Sequence, residues 1–259
     1  MPRAFFEFRF ALSLLAWLAV LPGCGGNSSA PAGQGTSSDE KSLFLMGALD
    51  VNATECLAKA DATAAMLPGG VFDLALTSGY TAALLVENQL PRAGSAAETE
   101  RVSLRSAEIV LTTPAGTTLS KYTTVGVGFL DGGTGMAAYG TMAITVIPTD
   151  VGLSEPVQNA EQLIAKIRVL GEALNGTMLT SNELYLPIRV CTGCLVQYPP
   201  SAADPTVAEG YRCTTAQVST REPDPPPCAL GQDAPFSCEL CSSTLELCRD
   251  PAKNPSIFR

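Results

Sequence analysis

From Lys41 to Val190 the apolar residues recur at every second position, and this alternation constrains the fold more than any other feature of the chain. Successive side chains on a strand point to opposite faces, so a period of two marks strands with one face against a core. In VFDLAL, Phe72, Leu74 and Leu76 share one face; in YTAALLV, Tyr80, Ala82, Leu84 and Val86 do. RVSLRSAEIVL aligns Val102 with Leu104 and then changes phase to Ala107, Ile109 and Leu111. One extra residue near Ser106 produces such a change. Val125, Val127 and Phe129 alternate with Thr and Gly, and Met142, Ile144 and Val146 oppose Ala143, Thr145 and Ile147. Leu184, Leu186, Ile188 and Val190 close the run.

Turn chemistry separates these segments at Pro68-Gly69-Gly70, Pro114-Ala115-Gly116, Asp131-Gly132-Gly133 and Asn175-Gly176. Many short alternating strands with such punctuation predict an all-β fold. The expected form is an antiparallel β-sandwich, immunoglobulin-like in general architecture, over residues 41–190. Two segments read either way. Glu55 to Met66 fits a short helix or a polar loop. Glu161 to Leu174 carries a helical stripe through Leu163, Ile164, Ile167 and Leu170. Its second half reads as a strand, joined through Asn175-Gly176 to Leu184–Val190 by a hairpin with an irregular connection.

The amino terminus predicts the compartment. Arg3 and Arg9 precede an uncharged apolar stretch from Phe10 to Leu21, too short for a membrane span of ~20 residues. The following Leu21-Pro22-Gly23-Cys24 resembles the lipobox of bacterial lipoproteins. That resemblance implies a signal peptide over residues 1–23 and a diacylglyceryl group on Cys24, the first mature residue. More than one acyl chain gives stable membrane attachment. Gly25 after the cysteine, in place of Asp, implies sorting to the outer membrane, with the body facing the periplasm or the cell surface. Residues 24–40, rich in Gly, Ser and Ala, read as a flexible tether.

Seven of the nine cysteines lie in the segment 191–250: Cys191, Cys194, Cys213, Cys228, Cys238, Cys241 and Cys248. The segment is rich in proline and poor in apolar periodicity, so it cannot offset its chain entropy by burial alone. Crosslinks supply what a core does not, typically ~2–4 kcal/mol each. In an exported chain this density predicts a disulfide-rich irregular tail, with residues 251–259 disordered beyond it. Two C-x2-C pairs also have zinc-ligand spacing, but 43 residues separate Cys194 from Cys238, far more than in a compact zinc ribbon. Thiol–disulfide exchange at Cys191-Thr192-Gly193-Cys194 ordinarily uses a helix start, and Pro199-Pro200 blocks a helix there. With Cys24 acylated, an odd tail count leaves Cys56 as the remaining cysteine outside the tail. Cys56 is therefore expected to pair with a tail cysteine and clamp the tail to the β domain.

The runs YTAALLVENQL, RVSLRSAEIVL, PIRVCTGCLVQYPP and CALGQDAPFSCELC together resemble a group of uncharacterised cysteine-rich lipoproteins of myxobacteria. The resemblance implies the same lipid anchor, β domain and cysteine tail, and it carries no activity with it.

Composition narrows the function classes. The chain has no histidine, which excludes Ser-His-Asp and Cys-His catalysis and His-ligated metal sites. A formal net charge of −9 with no Lys/Arg block argues against nucleic acid as a partner. Gly133-Thr134-Gly135 with Ala138 matches a loose dinucleotide pattern, but an alternating strand follows where a helix is needed. Glu98, Glu100, Asp204 and Asp224 lie in polar or proline-rich loops and read as solvated carboxylates, and calcium ligation near Asp131 has no EF-hand or repeat spacing to support it. No residue is therefore assigned a catalytic, cofactor-binding or metal-binding role. The sequence leads to the expectation of a non-enzymatic, lipid-anchored envelope protein with a protein or polysaccharide partner. The alternative is an envelope enzyme or zinc protein using the C-x2-C pairs or carboxylates.

Overall fold

A computed structural model describes residues 42–51, 55–90, 100–132, 137–198 and 227–238. The expected signal peptide, tether and Cys24, the loop carboxylates Glu98, Asp204 and Asp224, the glycines Gly133 and Gly135, and Cys213, Cys241, Cys248 and residues 251–259 lie outside them.

The elements run β1 (Leu43–Ala48), β2 (Gly70–Asp73), β3 (Tyr80–Asn88), β4 (Val102–Thr112), β5 (Thr118–Leu130) and β6 (Ala138–Ile147). Two helical turns follow, α1 (Thr149–Gly152) and α2 (Glu155–Gln158). Then come β7 (Gln162–Ala173), β8 (Met178–Thr180), β9 (Leu184–Cys191), β10 (Val196–Gln197) and β11 (Phe236–Ser237). The chain is all-β, as the alternation predicts. The strands do not form two clearly stacked antiparallel sheets, however. One nine-stranded sheet, ordered β1-β3-β6-β5-β4-β7-β9-β2 with β8 beside β7, curls into a half-barrel. Most neighbours are antiparallel, but β2 lies parallel to β9, pairing Gly70 with Ile188 and Asp73 with Cys191. The curl brings β1 near β9, where Asn182 acts as a surrogate peptide group. Its Oδ1 accepts the Leu45 N–H at 2.7 Å and its Nδ2 donates to the Leu45 carbonyl at 3.1 Å.

The core fills the concave side of this sheet. Leu84, Val86, Ile109, Leu111, Met142, Leu163, Ile167 and Ile188 are all buried there. In β4 the phase change falls where the sequence suggests: the register slips between Leu104 and Ser106 against both β5 and β7. Arg105 takes up the extra position, so Leu104 and Ala107 both reach the core. β7 is a strand throughout, with Leu163, Ala165, Ile167 and Val169 inward. Asn175-Gly176 turns it into β8, and Ser181 and Asn182 form the irregular step before β9. Residues 55–65 form a loop rather than a helix.

Two faces differ from the alternation. Leu74 and Leu76 do not extend β2, because the chain turns at Asp73: its carbonyl accepts the N–H groups of Leu76 and Thr77. In β5 the apolar residues point out: Val125, Val127 and Phe129 are 80%, 72% and 59% exposed. The glycines between them face the core. A Cβ on Gly126 would run into Met142, and one on Gly128 would lie 2.7 Å from the Thr141 carbonyl. The close approach of β6 therefore reserves the inner face of β5 for glycine, and the apolar residues take the outer one.

Ile109→Ala should lower the unfolding free energy by about 2–5 kcal/mol, since it removes buried methyl groups from a fully enclosed site. Val127→Thr, on the exposed face of β5, should change it by less than about 0.5 kcal/mol although it too replaces an apolar residue. Urea unfolding checks both values, and a large loss for Val127→Thr would put that face of β5 inside.

Candidate functional site

The tail returns to the β domain at the free edge of β2. An open strand edge exposes unpaired N–H and C=O groups that need cover. Here the Asp233 N–H donates to the Val71 carbonyl at 3.1 Å, and the Asp73 N–H donates to the Gly231 carbonyl at 2.9 Å. Gln232 bridges to Phe72 between these two bonds. The Gln232 side chain is buried and spans to β3. Its Oε1 accepts the Thr81 N–H at 2.9 Å, and its Nε2 donates to the Gly79 carbonyl at 3.1 Å. The Asp233 carboxylate accepts the Val71 N–H at 2.8 Å and the Tyr80 hydroxyl at 2.9 Å.

Burial raises the Asp233 carboxyl above its usual range, partly offset by its bonds from Val71 and Tyr80. Burial, then the nearby Asp233 charge, raises the Tyr80 hydroxyl, so Tyr80 is a neutral donor. A disulfide from Cys56 to Cys228 fastens the same segment, with Cα atoms 5.2 Å apart and a sequence separation of 172. Cys56 and Asp233 both have left-handed backbone, φ 52° and 56°. Such conformations persist where the surroundings over-determine them, as the crosslink and the carboxylate bonds do.

At the other end of β2, a second carboxylate organises the first C-x2-C. Asp73 is fully buried. Its Oδ1 accepts N–H groups from Gly193 at 2.6 Å and Ala75 at 3.1 Å, and its Oδ2 accepts that of Leu195 at 3.0 Å. A buried carboxylate needs such donors to offset its lost hydration. The loop turns on Gly193 in the left-handed region, φ 76°, and the Leu74 N–H donates to the Cys191 carbonyl at 2.8 Å. Cys191 and Cys194 are joined to each other across this loop, Cα atoms 5.9 Å apart. Cys238, at the end of β11, is disulfide-bonded as well.

The sulfurs of Cys191 and Cys194 and an Asp73 oxygen lie within 4.8 Å of one another. Two thiolates and a carboxylate are a zinc-type donor set. In this arrangement the sulfurs are bonded together and both Asp73 oxygens accept backbone N–H groups, so the donors are already committed. The disulfide opens onto a groove of about 960 Å³, walled by Gln158, Asn159, Glu161, Gln162, Arg189 and Thr192 among others. Arg189 reaches back from β9, its Nη2 3.6 Å from Cys194 Sγ.

Asp131 forms a surface ion pair with Arg101 at 3.1 Å, with both side chains largely exposed. Asp73, Asp233, Gln232 and Arg189 were not singled out by the alternation. An Asp inside the apolar VFDLAL run reads there as the solvent side of a strand, yet a charge in such a run is itself the available signal for a buried, hydrogen-bonded carboxylate.

Asp73→Ala leaves the Gly193 and Leu195 N–H groups without their acceptor and should cost about 2–5 kcal/mol, read by urea unfolding. For Asp233 the raised carboxyl sets the sign: its stabilising contribution is full below the unfolded value and falls as pH rises through the folded one. The stability of the native chain relative to Asp233→Asn should therefore be greatest near pH ~3 and decline across the window just above the ordinary carboxylate value of about 3.9. A difference that grows over that window contradicts the assignment. Searched against models of known protein families and against curated proteins, the chain matches none.

Proposed function

We propose that this is an exported, lipid-anchored envelope protein whose β domain is a non-enzymatic binding or structural module of the outer membrane. The observation that carries the reading is the Cys56–Cys228 crosslink over the buried Gln232–Asp233 contact. Such a bond persists in an oxidising compartment, which the Leu21–Cys24 lipobox also calls for. The locked tail suits a domain that presents a fixed surface rather than one that opens and closes. On this reading the curled sheet is an open relative of the immunoglobulin-like sandwich, held off the membrane by the tether at residues 24–40. Its partner is another envelope protein or a polysaccharide. A zinc protein is the second reading, favoured by the convergence of Asp73, Cys191 and Cys194.

Fractionation of cells producing the native chain and Cys24→Ser tests the anchor. The native protein should sediment with the outer membrane, and the variant should be soluble or retained as an uncleaved precursor. Identical processing and partitioning of the two contradicts the proposal. Metal analysis beside a thiol count separates the readings: one equivalent of zinc with free Cys191 and Cys194 supports the second.

A further inference from the structure

The two described disulfides do unequal mechanical work. Cys56–Cys228 closes a loop of 172 residues, whereas Cys191–Cys194 spans a separation of three. Loop-closure stabilisation grows with the length enclosed, so the short crosslink adds least to the fold. Its loop is also held without it. The bonds from Gly193 and Leu195 to Asp73, from Leu74 to the Cys191 carbonyl, and the pairing of Val196 with Phe236 all leave the sulfurs out. Opening the disulfide would leave that scaffold in place, with the two sulfurs still positioned to rejoin.

The surroundings also distinguish the two sulfurs. Arg189 contacts Cys194 Sγ, and a neighbouring guanidinium stabilises a thiolate without any helix. The less basic sulfur is the better leaving group in exchange. Both cysteines line the groove, whose Gln158, Asn159 and Gln162 carry amide groups able to donate to and accept from peptide groups.

We propose that Cys191–Cys194 is a redox-active disulfide that exchanges with the cysteine thiols of a polypeptide lying in this groove, with Asp73 as a positioning residue. A thiolate of the substrate attacks Cys191 Sγ. The Cys191–Cys194 bond breaks, and Cys194 leaves with the electron pair as a thiolate beside Arg189. A second thiolate of the same polypeptide then attacks the substrate sulfur of the mixed disulfide and releases Cys191, which takes up a proton. The substrate gains one disulfide, and this chain gains two thiols.

The test is dithiothreitol titration of the oxidised full chain in native buffer, with alkylation and peptide mapping at each point. Cys191 and Cys194 should be labelled at least tenfold faster than Cys56 and Cys228, with circular dichroism unchanged. If the pair opens only together with Cys56–Cys228, or only in denaturant, the proposal falls. Arg189→Gln should slow opening about fivefold, the effect of a more basic leaving sulfur; an unchanged rate overturns the role given to Arg189. Cys194→Ser, given a single-cysteine peptide as its mixed disulfide with glutathione, should accumulate a peptide disulfide at Cys191: the Cys191 thiolate displaces glutathione thiolate, and no second thiol is left to resolve the product. Trapping by Cys191→Ser instead reverses the assigned order and overturns that part of the mechanism.

Discussion

The burial of the Asp73 carboxylate is the constraint around which the cysteine-bearing end of the molecule is organised. A buried charge is tolerated only with donors around it, and the donors here come from two places in the chain. Ala75 lies in the turn that ends β2, and Gly193 and Leu195 lie in the loop that ends β9. One side chain thus terminates a strand and docks a loop, and it does so where the two strands run parallel. A parallel neighbour on one side leaves β2 with an open edge on the other. Gly231 to Asp233 cover that edge, and a second aspartate repeats the device: Asp233 accepts from the Val71 backbone and from Tyr80. The two carboxylates and the Cys56–Cys228 bond join the described tail segments, residues 191–198 and 227–238, to the β domain.

The alternation of apolar residues showed the strands because period two is a local property of the chain. It placed Leu186, Ile188 and Val190 on one buried face, and the slip at Arg105 was visible as a change of phase, whereas the first half of β7 read as a helical stripe because Leu163, Ile164 and Ile167 also fit that period. It misplaced the inner face of β5, because what decides there is the distance to β6. Gly126 and Gly128 face inward since Met142 and the Thr141 carbonyl occupy the space, and no local pattern in TTVGVGFL encodes a neighbour's position. The single curled sheet was equally out of reach: hydrophobic faces look the same whether two sheets stack or one bends over. The odd number of tail cysteines pointed Cys56 toward the tail, but nothing in the spacing selects Cys228. The burial of Asp73 has no local signature: a charged residue between apolar neighbours reads as solvent-facing, and two of its three donors, Gly193 and Leu195, lie over a hundred positions away.

The two ends of β2 suit different tasks. At one, Gln232, Asp233, Tyr80 and a long-range crosslink fix residues 227–238 to the sheet. At the other, a short crosslink sits half-buried beside a polar groove, with a cation against one sulfur. The proposed envelope module and the proposed exchangeable disulfide are compatible on one domain, because the first reading draws on the locked end and the second on the open one.

The parallel partnership of β2 with β9, and the bond from Cys56 to Cys228, also bear on how such a chain matures. Secreted polypeptides reach the far side of the inner membrane amino terminus first. On the export proposed above, Cys56 would arrive with no native mate, and Cys191 and Cys194 would both emerge before Cys228. An oxidant that links sulfurs in order of arrival would couple Cys56 to the wrong one. Reaching the mature connectivity then calls for reshuffling, so biogenesis of this protein should depend on a disulfide isomerase as well as on an oxidase.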